Sequence, residues 1–156
     1  MSDFFRLINC IAKGDNNCHN IENVNVVKGD VHTVGDILSE NDFSKNILLV
    51  ADNNTLKASE GIIESLKKQK ISYLVYRELN VATMDHVFEI ERYIMGKDVS
   101  VLAIGAGAIA AACAIAASRQ KKKICIFAVS QPNADENVCA PELHCEDIAM
   151  PQLVIL

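Results

Sequence analysis

The chain has no Cys-x-x-Cys pair, no His-x-x-x-His or His-Glu-x-x-His spacing, and no Gly-x-Ser-x-Gly elbow. These absences leave a dithiol redox centre, a helical metal site and a hydrolase nucleophile without support. Met1–Ile11 lacks a long apolar core and a small-residue cleavage site, so no secretory leader is expected and a cytoplasmic location is. Six cysteines are present, at 10, 18, 113, 125, 139 and 145, but they form no disulfide framework. Cys113 and Cys125 fall in segments expected to be buried, where Cys behaves as a small hydrophobe. Positive charge is also in deficit. A net charge of -5 argues against a nucleic-acid or anionic-membrane surface. The run Arg119-Gln-Lys-Lys-Lys123 reads as a solvated helix end. No internal repeat or low-complexity tract interrupts the chain.

What is present is a regular alternation. The 156 residues are half hydrophobic and 22% charged, enough for one domain with its own core. Strands are expected at 24–28, 46–51, 71–76, 99–104 and 124–128. Helices are expected at 30–40, 55–68, 83–95 and 107–119. Their inward residues are Val34, Ile37 and Leu38, then Leu56, Ile62, Ile63 and Leu66, then Val87, Ile90 and Ile94. Thr83 is the expected N-cap of the third helix and Gly96 its end. Segment 129–151 reads as irregular, and the chain closes on an apolar run, QLVIL. The alternation implies an α/β domain over 24–156, Rossmann-like, with a mainly parallel sheet and helices on both faces. Residues 1–23 are left unplaced.

Residues 99–118 carry no formal charge, and lysines follow at 121–123. A membrane span is disfavoured because a Val/Ile/Leu half and an Ala-rich half are separated by Gly105 and Gly107. The order strand, glycine turn, helix builds phosphate sites in α/β proteins. The turn bares the main chain, and the helix N-terminus directs N–H groups at an anion. GAGA is a modest version of that signal.

Two other segments share the carboxyl edge of such a sheet, where ligands bind. Asp52 follows a strand directly and can accept from ribose hydroxyls; Asp52-Asn-Asn-Thr55 reads equally as a turn and cap. Ser130-Gln-Pro-Asn-Ala-Asp135 is the third, a polar loop whose carboxylate could orient a substrate. His19, His32, His86 and His144 are scattered and suggest no metal site.

The succession LLVADNNT, then GAGA, then SQPNAD resembles the N-terminal half of the sn-glycerol-1-phosphate dehydrogenases. These belong with the iron-containing alcohol dehydrogenases, glycerol dehydrogenases and dehydroquinate synthases. VNVVKGDVHTVGDIL is similar to the family's opening strand, glycine and helix, so the resemblance covers about residues 20–156. It implies that Asp52, Asn54 and Thr55 contact the adenosine end of NAD or NADP. It implies that Gly105, Ala106, Gly107 and Ala108 hold the pyrophosphate. Ser130, Pro132 and Asn133 would line the cofactor, with Asp135 on the substrate side as the candidate catalytic residue. The implied reaction is reduction of dihydroxyacetone phosphate to glycerol 1-phosphate.

The departures are specific. Ala106 stands for the middle glycine of the family's turn. Ala111 and Ala114 stand for its Asp and Lys, and Glu136 for the glycine after the loop's Asp. The family continues past the equivalent of Leu156 into a helical domain that supplies the ligands of a zinc or similar metal. This chain is therefore expected to lack that domain, to bind no metal alone, and to associate as a homodimer or with a partner chain covering the face so left. The alternative is a non-catalytic relative that serves as a nucleotide- or protein-binding module.

Overall fold

A computed structural model describes residues 7, 24–52, 55–77, 83–105, 108–128 and 151–156. Strands β1 (Asn25–Val27), β2 (Asn46–Val50), β3 (Ser72–Tyr76), β4 (Ser100–Ile104), β5 (Ile124–Phe127) and β6 (Leu153–Ile155) form one sheet. Its order is β1-β6-β5-β4-β2-β3, and every pairing is parallel. Helices α1 (Val34–Glu40), α2 (Leu56–Lys68), α3 (Met84–Ile94) and α4 (Ala108–Gln120) connect the first five strands.

Successive strand residues point to opposite faces, so two cores form. Ile47, Leu49, Leu102, Ile104, Cys125 and Phe127 meet Val34 and Leu38 of α1 and Ile62 and Leu66 of α2. Leu48, Val50, Val101, Ala103, Ile124 and Ile126 meet Val87, Ile90 and Ile94 of α3 and residues 109–117 of α4. Both faces of β4 are covered, which is why SVLAI reads as a continuous apolar run. Alanine lets α4 sit close to both the sheet and α3. Cys113 lies in the α3/α4 core and Cys125 in the α1/α2 core, and both are free thiols.

Two local expectations are revised. Residues 31–33 form a turn and the first helix begins at Val34. Asp30 explains this. Its Oδ1 accepts the His32 N–H at 2.8 Å, its own N–H donates to Thr33 Oγ1 at 2.9 Å, and its carbonyl accepts the Thr33 N–H at 3.1 Å, so local bonds hold residues 30–33 as a turn ahead of the helix. Ile37 is half-buried and packs against the α1/α2 core, as expected. The closing QLVIL run supplies β6, inserted between β1 and β5, and so makes a six-stranded sheet. Thr83 does precede α3, where the His86 ring contacts its N–H and hydroxyl, and Gly96 follows with φ +70°. Among the described residues no helix is long and apolar enough to cross a membrane.

One polar cluster ties α3 to α4. Glu91 is buried on α3; Arg119 Nε lies 2.7 Å from its Oε1, and Gln120 donates to Oε2 at 2.5 Å. The Arg119 contact is a charge contact rather than an aligned hydrogen bond. Its guanidinium also stands 5.6 Å from the Phe88 ring.

Candidate functional site at the carboxyl edge

Connections leave the sheet in two directions. From β2 the chain passes through α2 to β3, toward one edge; from β4 it passes through α4 to β5, toward the other. The strands β2 and β4 are neighbours, so the reversal opens a crevice beyond their carboxyl ends, the place where open α/β sheets bind ligands. Val50 pairs with Ala103, and continuing that register sets Asp52 opposite Gly105.

Asp52 and Thr55 close a tight turn before α2. Asp52 N–H donates to Thr55 Oγ1 at 2.9 Å, and Thr55 N–H donates to Asp52 Oδ1 at 2.8 Å. The capping reading of this segment is thus realised. It leaves Asp52 Oδ2 without a described partner, on a half-exposed side chain, and the capping and ligand-binding roles are compatible. Thr55 is completely buried.

Gly105 ends β4 with φ +116°, a conformation that only glycine adopts without strain. Its N–H donates to Phe127 O at 2.7 Å, which holds the turn against β5. A Cβ at this position would come within 3.2 Å of the Thr55 methyl. A side chain at 105 would therefore crowd Thr55. The next described element is α4, whose first turn carries no acid. Its leading N–H groups and the positive end of its dipole face this edge. A glycine at the strand end beside an acid-free helix start is chemically compatible with a diphosphate.

Of the positions expected to hold cofactor, Asp52, Thr55, Gly105 and the start of α4 at Ala108 are brought to one crevice. Asn54, Ala106, Gly107, Ser130, Pro132, Asn133 and Asp135 lie outside the described residues. Ala111 and Ala114, where the resemblance leads to Asp and Lys, are buried in α4 at 1% and 0% exposure. A residue passed over in the sequence is Lys57, exposed in the first turn of α2 beside Thr55. A cation there opposes the helix dipole, and that conflict was the available signal. An open groove of about 360 Å³ lies at the opposite, amino edge of the sheet, lined by Leu48, Tyr73, Leu74 and Tyr93 among others. Its position sets it apart from the crevice. Among the described residues no three His, Cys, Asp or Glu side chains converge.

Comparison with known proteins bears on the family and the fold. A profile of the iron-containing alcohol dehydrogenases matches residues 25–133. No curated protein matches the chain. Among solved structures, an iron-containing alcohol dehydrogenase from Thermotoga maritima superposes with a TM-score of 0.63 at 14% identity, over 86% of this chain and 46% of that one. A probable glycerol dehydrogenase from Sinorhizobium meliloti gives 0.58 at 16% identity, over 85% and 37%. The 2-epi-5-epi-valiolone synthase of Streptomyces hygroscopicus, solved with NAD+ and Zn2+ bound, gives 0.61 at 16% identity, over 85% and 42%. The chain thus spans less than half the length of these structures.

Proposed function

Because the chain belongs to the iron-containing alcohol dehydrogenase family, we propose that it binds a nicotinamide dinucleotide across the crevice between β2 and β4. The convergence of Asp52, Thr55, Gly105 and the start of α4 at the sheet's reversal point carries this reading. Asp52 Oδ2 accepts from the adenosine ribose, while Oδ1 keeps the turn closed. The Gly105 turn and the first N–H groups of α4 receive the diphosphate, with Lys57 adding positive charge nearby. A 2′-phosphate would face the Asp52 carboxylate, so NAD is preferred over NADP. The bound dinucleotide supplies the hydride, and Asp135 stands for the substrate side. A reducing cytoplasm suits the free thiols of Cys113 and Cys125.

The substrate reading is dihydroxyacetone phosphate, reduced to glycerol 1-phosphate, on the spacing of the three segments. Hydride transfer of that kind uses groups supplied by the remaining length of such enzymes. The second reading is a non-catalytic relative that keeps the nucleotide crevice. The burial of Ala111 and Ala114 favours it, because neither position offers a charged group toward a ligand.

Calorimetric titration with NADH and NADPH tests the site. Micromolar NADH binding that is lost in a Gly107→Val variant is expected. A folded chain that ignores millimolar NADH would leave the fold without this function. Turnover of dihydroxyacetone phosphate with added divalent metal separates the two readings.

A further inference from the structure

Helix α4 is built almost without large side chains. From Ile109 to Ala117 every residue is at most 2% exposed, and only Ile109 and Ile115 are larger than a thiol. Small residues let the helix lie close to the sheet and to α3, but they form shallow ridges. A smooth apolar surface packs well at more than one height or rotation, and such cores lose uniqueness before they lose stability. A slip of one residue along the axis moves a helix by about 1.5 Å and turns it by about 100°. Apolar packing alone therefore under-specifies where α4 begins.

The specification sits at the other end of the helix. The last turn of α4 carries Arg119 and Gln120, and both meet one carboxylate of α3. Glu91 Oε1 is buried and stands 2.7 Å from Arg119 Nε, while Oε2 accepts from Gln120 Nε2 at 2.5 Å. Arg119 is seated twice, because its guanidinium also lies over the ring of Phe88, one turn before Glu91 on α3. The neighbours of Glu91 on the inner face of α3 are Val87, Ile90 and Ile94. A slip of α4 would carry both donors away and strand the carboxylate in that apolar layer, which is costly. For stability alone the cluster is a poor choice, since apolar side chains of similar size join two helices as well or better. What it supplies is one permitted register.

We propose that Glu91, Arg119 and Gln120 are positioning residues that fix the register of α4 on α3, and so set where its first N–H groups stand at the crevice. The consequence at the crevice rests on the cofactor reading, whereas the register does not. A helix of 13 residues is a rod about 20 Å long, so a clamp at Gln120 sets the height of Ala108.

The test is a paired exchange, Glu91→Leu with Arg119→Leu, which removes the clamp and leaves no buried charge. Its urea midpoint should stay near that of the wild-type chain. The amides of α4 should nevertheless exchange hydrogen severalfold faster, while those of α2, in the core on the opposite face, keep their rate. NADH should bind about tenfold more weakly, because the receiving N–H groups are no longer preorganised. Gln120→Ala is the second variant. It removes one donor at a half-buried helix end and should move exchange and affinity in the same directions by less. Unchanged α4 exchange in the folded double variant, or in Gln120→Ala should the pair not fold, would overturn the proposal. So would α2 loosening in step with α4, which would make the cluster a general stabiliser. Faster α4 exchange with undiminished NADH affinity would overturn the link to the crevice. A wild-type chain that ignores NADH would remove the cofactor reading, and the exchange comparison would still decide the register.

Discussion

Strands β3 and β4 flank β2, share its length and direction, and meet different fates. All five residues of β4 are buried, and the strand runs straight into a glycine with a positive φ. In β3 no residue is fully buried. The central strand is held from all sides, so it can carry an unusual backbone conformation at its end. Among the described residues the edge strand is hydrogen-bonded on one side, to β2. One parallel sheet thus separates a fully buried position from a partly exposed one by rank in the strand order.

The comparison is sharpest in a pair of leucines. Leu102→Ala in β4 opens a cavity in a fully buried layer and should destabilise by about 2–5 kcal/mol in urea unfolding. Leu74→Ala in β3, measured at low concentration, should change stability by less than about 0.5 kcal/mol. Similar losses at the two sites would break the contrast. At the end of β4, Gly105→Ala must adopt an unfavourable φ and crowd the Thr55 methyl. A loss of about 1–3 kcal/mol is expected, with weakened NADH binding. Unchanged stability would mean that the turn relaxes freely.

Asp52→Asn keeps the acceptor for the Thr55 N–H and removes the charge. NADH affinity should fall roughly tenfold and the preference over NADPH should narrow, with little change in melting temperature. A melting shift without an affinity change would assign Asp52 to capping alone. The smallest effect belongs to Lys57→Ala. Dinucleotide binding should weaken about threefold at low salt and hardly at all at high salt, since an exposed charge is screened.

The sequence disclosed the alternation well because buried parallel strands are almost wholly apolar. NILLV, SVLAI and ICIF could be little else between amphipathic helices. It disclosed β6 only as a loose apolar run, since three residues have no period of their own and their partners are distant in sequence. Asp30 hid the true start of α1 by capping a turn locally. At the site, Asp52 and Gly105 were legible one by one, from strand ends and turn chemistry. Their adjacency was not, because it depends on β4 returning to lie beside β2. Thr55 showed itself as a cap, and its nearness to position 105 exists only in the folded sheet. Lys57 was legible as a misplaced charge and was passed over.

The two core thiols lie on opposite faces of the sheet. Burial pushes both well above the ordinary thiol range, so neither reacts while its layer stays shut. Each is consequently a built-in reporter for one leaf of the sandwich. Pulse alkylation read by peptide mass spectrometry would time the two leaves separately. Equal rates would mean that the molecule opens as a single book, and unequal rates would show which cover lifts first.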